Sequence, residues 1–207
     1  MKKLIAIIDY GAGNIQSVYK ALKFIGADCV VTSDKKEILS ADGAILPGVG
    51  SFGDTIDTME QYGIKDTVIE FTKSGKPFLG ICLGLQLLFP ASEESNGAKG
   101  LSIFEGKIKK IPNANGTLKI PHMGWNSIKI NNKNGIFKDI EGEPYVYFVH
   151  SYYLDAADKS IVSATTQYGV EIDAAVQYGN IIATQFHPEK SGEVGLKMLK
   201  NFVEMIK

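Results

Sequence analysis

Apolar residues fall in short continuous runs in the first half of the chain and alternate with polar ones in the second. Leu4-Ile5-Ala6-Ile7-Ile8, closed by Asp9, predicts a buried strand of a parallel sheet over 4–8. Ile15, Val18, Tyr19, Leu22 and Ile25 recur at helical spacing, with Asn14 placed to cap that helix and Gly26 to end it. A second strand at 29–32, a polar helix at 35–39 and a third strand at 44–46 follow. Pro47-Gly48-Val49-Gly50 then breaks the pattern at that strand's carboxyl end. Helical stretches at 55–62 and 65–74 lead to Pro77 and a fourth strand at 78–81. Repeated β–α units with short connections imply a mostly parallel central sheet flanked by helices, an α/β fold.

From Gly106 the period moves towards two. Strands are expected at 107–111, 126–130, 145–149, 161–166, 174–178 and 181–184, so the second half should add antiparallel strands. Turns are expected at 113–116 and 131–135, and Tyr178-Gly179-Asn180 reads as a hairpin. Leu196, Leu199, Phe202, Val203 and Ile206 share one face of a last helix. No repeat, low-complexity tract or linker divides the chain, so one domain over 1–207 is expected.

Composition narrows the function classes. Of 207 residues, 44% are hydrophobic and 22% charged, with a net charge of −1, so nothing draws the chain to nucleic acid or an anionic membrane. All 22 basic residues are lysine, so the planar fork that grips phosphate is missing. Asp9 ends the first apolar run too early for a signal peptide, and no run spans a bilayer; the expected location is the cytoplasm. The two cysteines and three histidines show no metal-ligand spacing, so neither a metal nor a cofactor is expected.

The sharpest chemical signal is Gly80-Ile81-Cys82-Leu83-Gly84, between a buried strand and an apolar helical stretch at 85–89. It is a nucleophile-elbow pattern with cysteine as the nucleophile: glycines relieve the crowding of a sharp strand-to-helix turn. The turn leaves the sulfur at the carboxyl edge of the sheet, where the helix N-terminus favours negative charge and the Leu83 amide faces a developing oxyanion. The plain alternative is a small buried hydrophobe, as expected for Cys29, which has no glycine bracket. A thiol needs a base and a group to orient that base, and Gln185-Phe186-His187-Pro188-Glu189 supplies both just past a strand. Two residues along an extended segment project to the same side, so Glu189 can hold one imidazole nitrogen while the other faces the sulfur. Alone, His-Pro-Glu is also a common surface turn. The glycines of 47–53 free backbone amides to face a bound group, and this loop is a candidate second oxyanion donor. Gly11-Ala12-Gly13-Asn14 lacks the full dinucleotide fingerprint.

Together the segments 47–50, 80–84 and 187–189 resemble the class I glutamine amidotransferase family in order and separation, over essentially the whole chain. Asp9-Tyr10-Gly11-Ala12-Gly13-Asn14, Pro121-His122-Met123-Gly124-Trp125-Asn126 and Val149-His150-Ser151-Tyr152 resemble the branch whose glutaminase serves a cyclase of histidine biosynthesis. The resemblance implies that Cys82 attacks the glutamine amide, with His187 moving protons and Glu189 holding the imidazole. It implies an oxyanion hole from the Val49 and Leu83 amides, and glutamine binding by Gly50, Gln86, Ser151 and Tyr152. It implies a heterodimer with a (β/α)8-barrel cyclase subunit, with Trp125 and Asn14 at the interface. A glutaminase or γ-glutamyl hydrolase of another pathway and a non-catalytic regulatory subunit are the alternatives. Phe89-Pro90-Ala91-Ser92 departs from the family pattern, and Pro90 is placed to shorten the elbow helix. His150 is expected to satisfy core hydrogen bonds, His122 and Trp125 to sit in an interface loop, and Lys107, Lys109 and Lys110 to form a solvated strand face.

Overall fold

The computed structural model describes residues 3–11, 14–113 and 116–206. Parts of the 11–14 and 113–116 motifs, Ala12, Gly13, Ala114 and Asn115, lie outside the described residues. The first half is β1 (Leu4–Ile8), α1 (Ile15–Phe24), β2 (Asp28–Thr32), α2 (Lys35–Ser40), β3 (Gly43–Gly48), α3 (Phe52–Gln61), α4 (Ile64–Lys73), β4 (Phe78–Cys82) and α5 (Leu83–Gln86). The second half is β5 (Gly106–Lys110), β6 (His122–Ser127), β7 (Lys129–Ile130), β8 (Tyr145–His150), β9 (Tyr152–Ala156), β10 (Val162–Tyr168), β11 (Val170–Tyr178), β12 (Ile181–Thr184) and α6 (Gly192–Met205).

An eight-stranded sheet runs in the order β2-β1-β3-β4-β12-β11-β10-β7. β2, β1, β3, β4 and β12 are mutually parallel, and the remaining pairings are antiparallel. The expected α/β class with an antiparallel second half is what forms. Alternating side chains feed two cores. Ala6, Ile8, Ala44, Leu46 and Phe78 pack with α3 and α4 on one face; Ile5, Ile7, Ile45, Leu79 and Ile81 pack with α1 and α6 on the other. Covering both faces removes the need for polar positions, which is why these strands read as continuous apolar runs.

Two antiparallel ribbons, β5–β9 and β6–β8, lie outside the main sheet. β9 was not anticipated: Tyr152-Tyr153-Leu154-Asp155-Ala156 follows β8 after only Ser151 and merges with it in the pattern. Asn14 holds the N-cap position of α1, but its Oδ1 accepts from the Ser17 hydroxyl at 2.9 Å instead of capping a backbone amide. The elbow helix ends at Gln86, well short of the expected 89. The carbonyls just past its end bond to the segment that follows instead: Leu87 accepts from the Leu101 amide, and Leu88 from those of Ile103 and Phe104. Among the described residues no helix is long and apolar enough to cross a membrane.

Candidate functional site

Strand register builds the site. In β3, Gly48 pairs with Cys82 of β4; in β12, Thr184 pairs with Ile81. Three adjacent parallel strands therefore end together, bringing the 47–53 loop, the elbow and the His-Pro-Glu segment to one carboxyl edge. Gln185 extends the ladder by one bond, its amide donating to the Ala174 carbonyl at 2.8 Å.

Cys82 carries the strain of the corner, at φ 56° and ψ −108°, a region that residues with a Cβ seldom enter. The glycines around it are needed for close approach. A Cβ on Gly80 would lie 2.7 Å from the Gly84 carbonyl oxygen, one on Gly84 2.0 Å from that of Leu46, and one on Gly48 2.8 Å from the Gly84 nitrogen. The turn thus rests against β3 with no room for a methyl group. Cys82 is 7% exposed. Its Sγ lies 3.8 Å from the Val149 carbonyl and 3.7 Å from Gln185 Nε2.

The side chains of His187 and Glu189 are both buried, and His187 Nδ1 lies 2.8 Å from Glu189 Oε1. The contact forms by a different route from the one expected. Pro188–Lys190 is a turn of 3-10 helix, so Glu189 curls back beneath the ring instead of projecting along an extended segment. Gly195 of α6 closes on that turn, where an added Cβ would meet the Pro188 carbonyl oxygen at 2.0 Å. His187 Nε2 is buried and makes no hydrogen bond of ordinary geometry, but Cys82 is near enough to act on the ring. Burial is the largest influence and pulls the imidazole pKa down; hydrogen bonding and charge from Cys82 and Glu189 outweigh it and raise the value to about 9.

Beside this group opens a cleft of about 330 Å³, lined by Val49, Gly50, Cys82, Leu83, Gln86, Ser151, Tyr152 and His187 among others. Every residue expected to bind glutamine or an oxyanion therefore faces one space. Glu189 stands behind His187. Gly48 lies within β3 and is tightly packed, so the opening loop is narrower than 48–50: Val49 is 40% exposed, and Gly50, at φ +101°, has open space around it. Glu94 also lines the cleft and was not anticipated. Its Oε2 accepts from the Phe52 amide at 2.7 Å, bracing the start of α3, and only the tertiary fold brings it there from 42 residues away.

Trp125 and Asn14 do not line the cleft. Trp125 is 56% exposed, next to Met123, but both sit on strand β6 and not in a loop. His122 is the clearest correction: it is buried, stacked between Tyr168 and Phe148 with ring centroids at 3.9 and 4.6 Å. Tyr168 comes from β10, a neighbour that local pattern does not reveal. His150 is buried as expected, bonded through Nδ1 to the Tyr152 carbonyl at 2.8 Å, although its ring also borders the cleft. Cys29 is a core residue, and Lys109 pairs with Asp155 at 2.6 Å on the β5–β9 ribbon.

What meets at this edge is a thiol, an imidazole and a carboxylate in the order that cysteine-dependent acyl transfer uses. The chain belongs to the glutamine amidotransferase class-I family, whose model matches residues 6–206. It is 51% identical over 204 residues to the imidazole glycerol phosphate synthase subunit HisH of Caldanaerobacter subterraneus subsp. tengcongensis, covering 99% of both chains. It is 50% identical to the subunit of the same name from Methanothermobacter thermautotrophicus, covering 99% of this chain and all of that one. The fold matches that of a PurLQS structure from Thermotoga maritima, with a TM-score of 0.78 at 21% identity over the full length of both chains.

Proposed function

We propose that this chain is the glutaminase subunit of an imidazole glycerol phosphate synthase, hydrolysing glutamine to glutamate and ammonia through Cys82, His187 and Glu189. The observation that carries the reading is geometric: Cys82 and His187 line one cleft, and behind it His187 Nδ1 lies 2.8 Å from the buried Glu189 carboxylate, with Cys82 and Glu189 both favouring the charged ring. Attack requires the thiolate, and the His187 imidazolium beside it serves as its counter-ion. The sulfur attacks the γ-carbonyl carbon of glutamine, and the carbonyl electrons move to oxygen, received by the Leu83 and Val49 amides. As the carbonyl re-forms, the C–N bond breaks and His187 gives its Nε2 proton to the departing nitrogen. The neutral ring then takes a proton from water, whose oxygen attacks the thioester. The C–S bond breaks, glutamate leaves, and the ion pair is restored. Glu189 holds the Nδ1 proton, so Nε2 carries the exchanging one.

Gln86, the Gly50 backbone and the Ser151–Tyr152 corner hold the substrate's amino-acid end. Glu94 supplies the negative charge that its α-ammonium group needs. Open space at Gly50 lets the 49–50 peptide rotate and complete the oxyanion hole when the partner is engaged.

Ammonia released into neutral water becomes ammonium and loses its nucleophilicity, so synthesis requires a covered route. The partner in this reading is a (β/α)8-barrel cyclase subunit forming a heterodimer. It docks on the face with exposed Trp125 and Met123, with Asn14 at the rim. The absence of arginine here leaves phosphate binding to that partner. As a biosynthetic enzyme without a membrane role, the pair works in the cytoplasm. The test is Cys82→Ala assembled with the cyclase. Synthesis with glutamine should vanish, while synthesis with added ammonium should persist; retention of glutamine-dependent synthesis would reject the reading.

A further inference from the structure

Gln185 is fully buried, and no step above uses it. Its Nε2 lies 3.7 Å from Cys82 Sγ and its Oε1 3.0 Å from Gln86 Nε2. Side-chain amides can ordinarily be turned end for end, but here a backbone carbonyl decides the sense. The Tyr152 carbonyl can only accept, and it takes a hydrogen bond from Gln86 Nε2 at 3.0 Å. The two hydrogens of Gln86 Nε2 are then committed to Tyr152 and to Gln185 Oε1. Gln185 must therefore present its oxygen to Gln86 and its N–H to the sulfur.

The same carbonyl is held from the other side. His150 Nδ1 donates to it at 2.8 Å, which leaves Nε2 of the neutral ring as an acceptor for His122 Nδ1 at 2.9 Å. Burial supports that neutrality, pushing His150 down to about 3 and His122 to about 4. His122 Nε2 accepts in turn from Asn126 Nδ2 at 3.3 Å, and that nitrogen also donates to the Gln167 carbonyl at 3.0 Å. Each member of the chain has one permitted orientation, from β6 to the nucleophile.

We propose that Gln185 is a catalytic donor: its Nε2–H holds negative charge on Cys82 Sγ in the resting enzyme, aimed there by the Tyr152 carbonyl through Gln86. The surroundings of the sulfur explain the need. From β8 the Val149 carbonyl, 3.8 Å away, favours the protonated thiol. Tyr10, beyond β1, also acts on the sulfur, but its hydroxyl is spent on the Pro47 carbonyl at 2.9 Å. His187, with Glu189 behind it, provides the positive charge, and Gln185 adds a neutral donor that does not leave when the imidazolium gives up its proton.

The inference rests on Cys82 being the nucleophile, and its test needs no substrate. Alkylation of Cys82 by iodoacetamide in the intact chain is followed from about pH 5 to about pH 10, with absorbance near 240 nm reporting thiolate. In Gln185→Met, of similar length and without a donor, the rate at about pH 7 should fall about tenfold and converge with the wild-type rate at the alkaline end. A disordered site would not show that convergence. A folded variant with a curve superimposed on the wild type's overturns the proposal. Should Gln185→Met not fold, Gln86→Met frees the Gln185 amide to turn, and its curve should move the same way by a smaller amount; an unmoved curve there is equally fatal. Wild-type Cys82 alkylated no faster than Cys29 would overturn the nucleophile assignment itself, and the proposal with it.

Discussion

Gly84→Ala places one methyl group at the tightest point of the elbow. The new Cβ would lie 2.0 Å from the Leu46 carbonyl oxygen and 3.1 Å from its carbon, against roughly 3.5 Å for comfortable contact. Leu46 cannot withdraw, because it pairs with Gly80 in the β3–β4 register beneath the turn. No flexible side chain stands in the way to yield, so α5 must lift by roughly 1–1.5 Å. Overpacking a close-fitted core costs about 1–3 kcal/mol, and a backbone obstruction puts this case at about 3. For a chain of this length that lowers the melting temperature by about 6–12 °C. Turnover should suffer more, since a shift of about 1 Å between nucleophile and base costs roughly a hundredfold. The control is Gly97→Ala, where φ is +87° but nothing lies within 4 Å of the new Cβ. It bears only left-handed strain of about 1–2 kcal/mol and should keep wild-type turnover. Circular-dichroism melts and glutamate release measured on both variants decide the matter. A Gly84→Ala protein that melts within about 2 °C of wild type and keeps most of its turnover would refute the packing account of the elbow.

Trp125→Ala should weaken assembly with the cyclase by about 2 kcal/mol or more, as loss of an exposed aromatic anchor does, and leave the isolated chain's melting temperature nearly unchanged; titration calorimetry and a melt check the two halves. Glu94→Gln should raise KM for glutamine with a smaller change in kcat, because the α-ammonium group loses its counter-charge; an unchanged KM would remove Glu94 from the substrate's contacts. Stability should peak near neutral pH. His187 is protonated in the folded chain up to about 9 and neutral above its ordinary 6.5 when unfolded, so its contribution is complete below that value and fades as pH rises to about 9, at no more than about 1.4 kcal/mol per pH unit. His122 and His150 act in the opposite sense: held neutral to about 4 and about 3, they lose their contribution as pH falls below 6.5. Urea midpoints across the range test both limbs, and His187→Asn should flatten only the alkaline one.

The parts of the site that depend on local geometry were legible in the sequence. Glycines two positions either side of Cys82 announce a corner that tolerates no Cβ, and apolar runs ending in glycine or proline announce parallel strands whose tips meet. What stayed hidden arrives from distant neighbours. His122 looks like a loop residue until Tyr168 of β10 stacks on it, and Glu94 reaches the cleft only because the segment after the elbow folds back onto the start of α3. The His187–Glu189 contact was readable as a pair but not as a 3-10 turn, because Pro188 permits either an extended or a tightly wound continuation. β9 was lost for want of a turn signal between it and β8.

Most directly, the chain can be incubated with a glutamine analogue bearing an electrophilic γ-carbon and digested for mass spectrometry. A thiolate–imidazolium pair facing a glutamine-sized cleft predicts a single adduct, on Cys82, that is absent from Cys82→Ala and forms much more slowly in His187→Asn. No adduct, or one formed equally on Cys29, would contradict it.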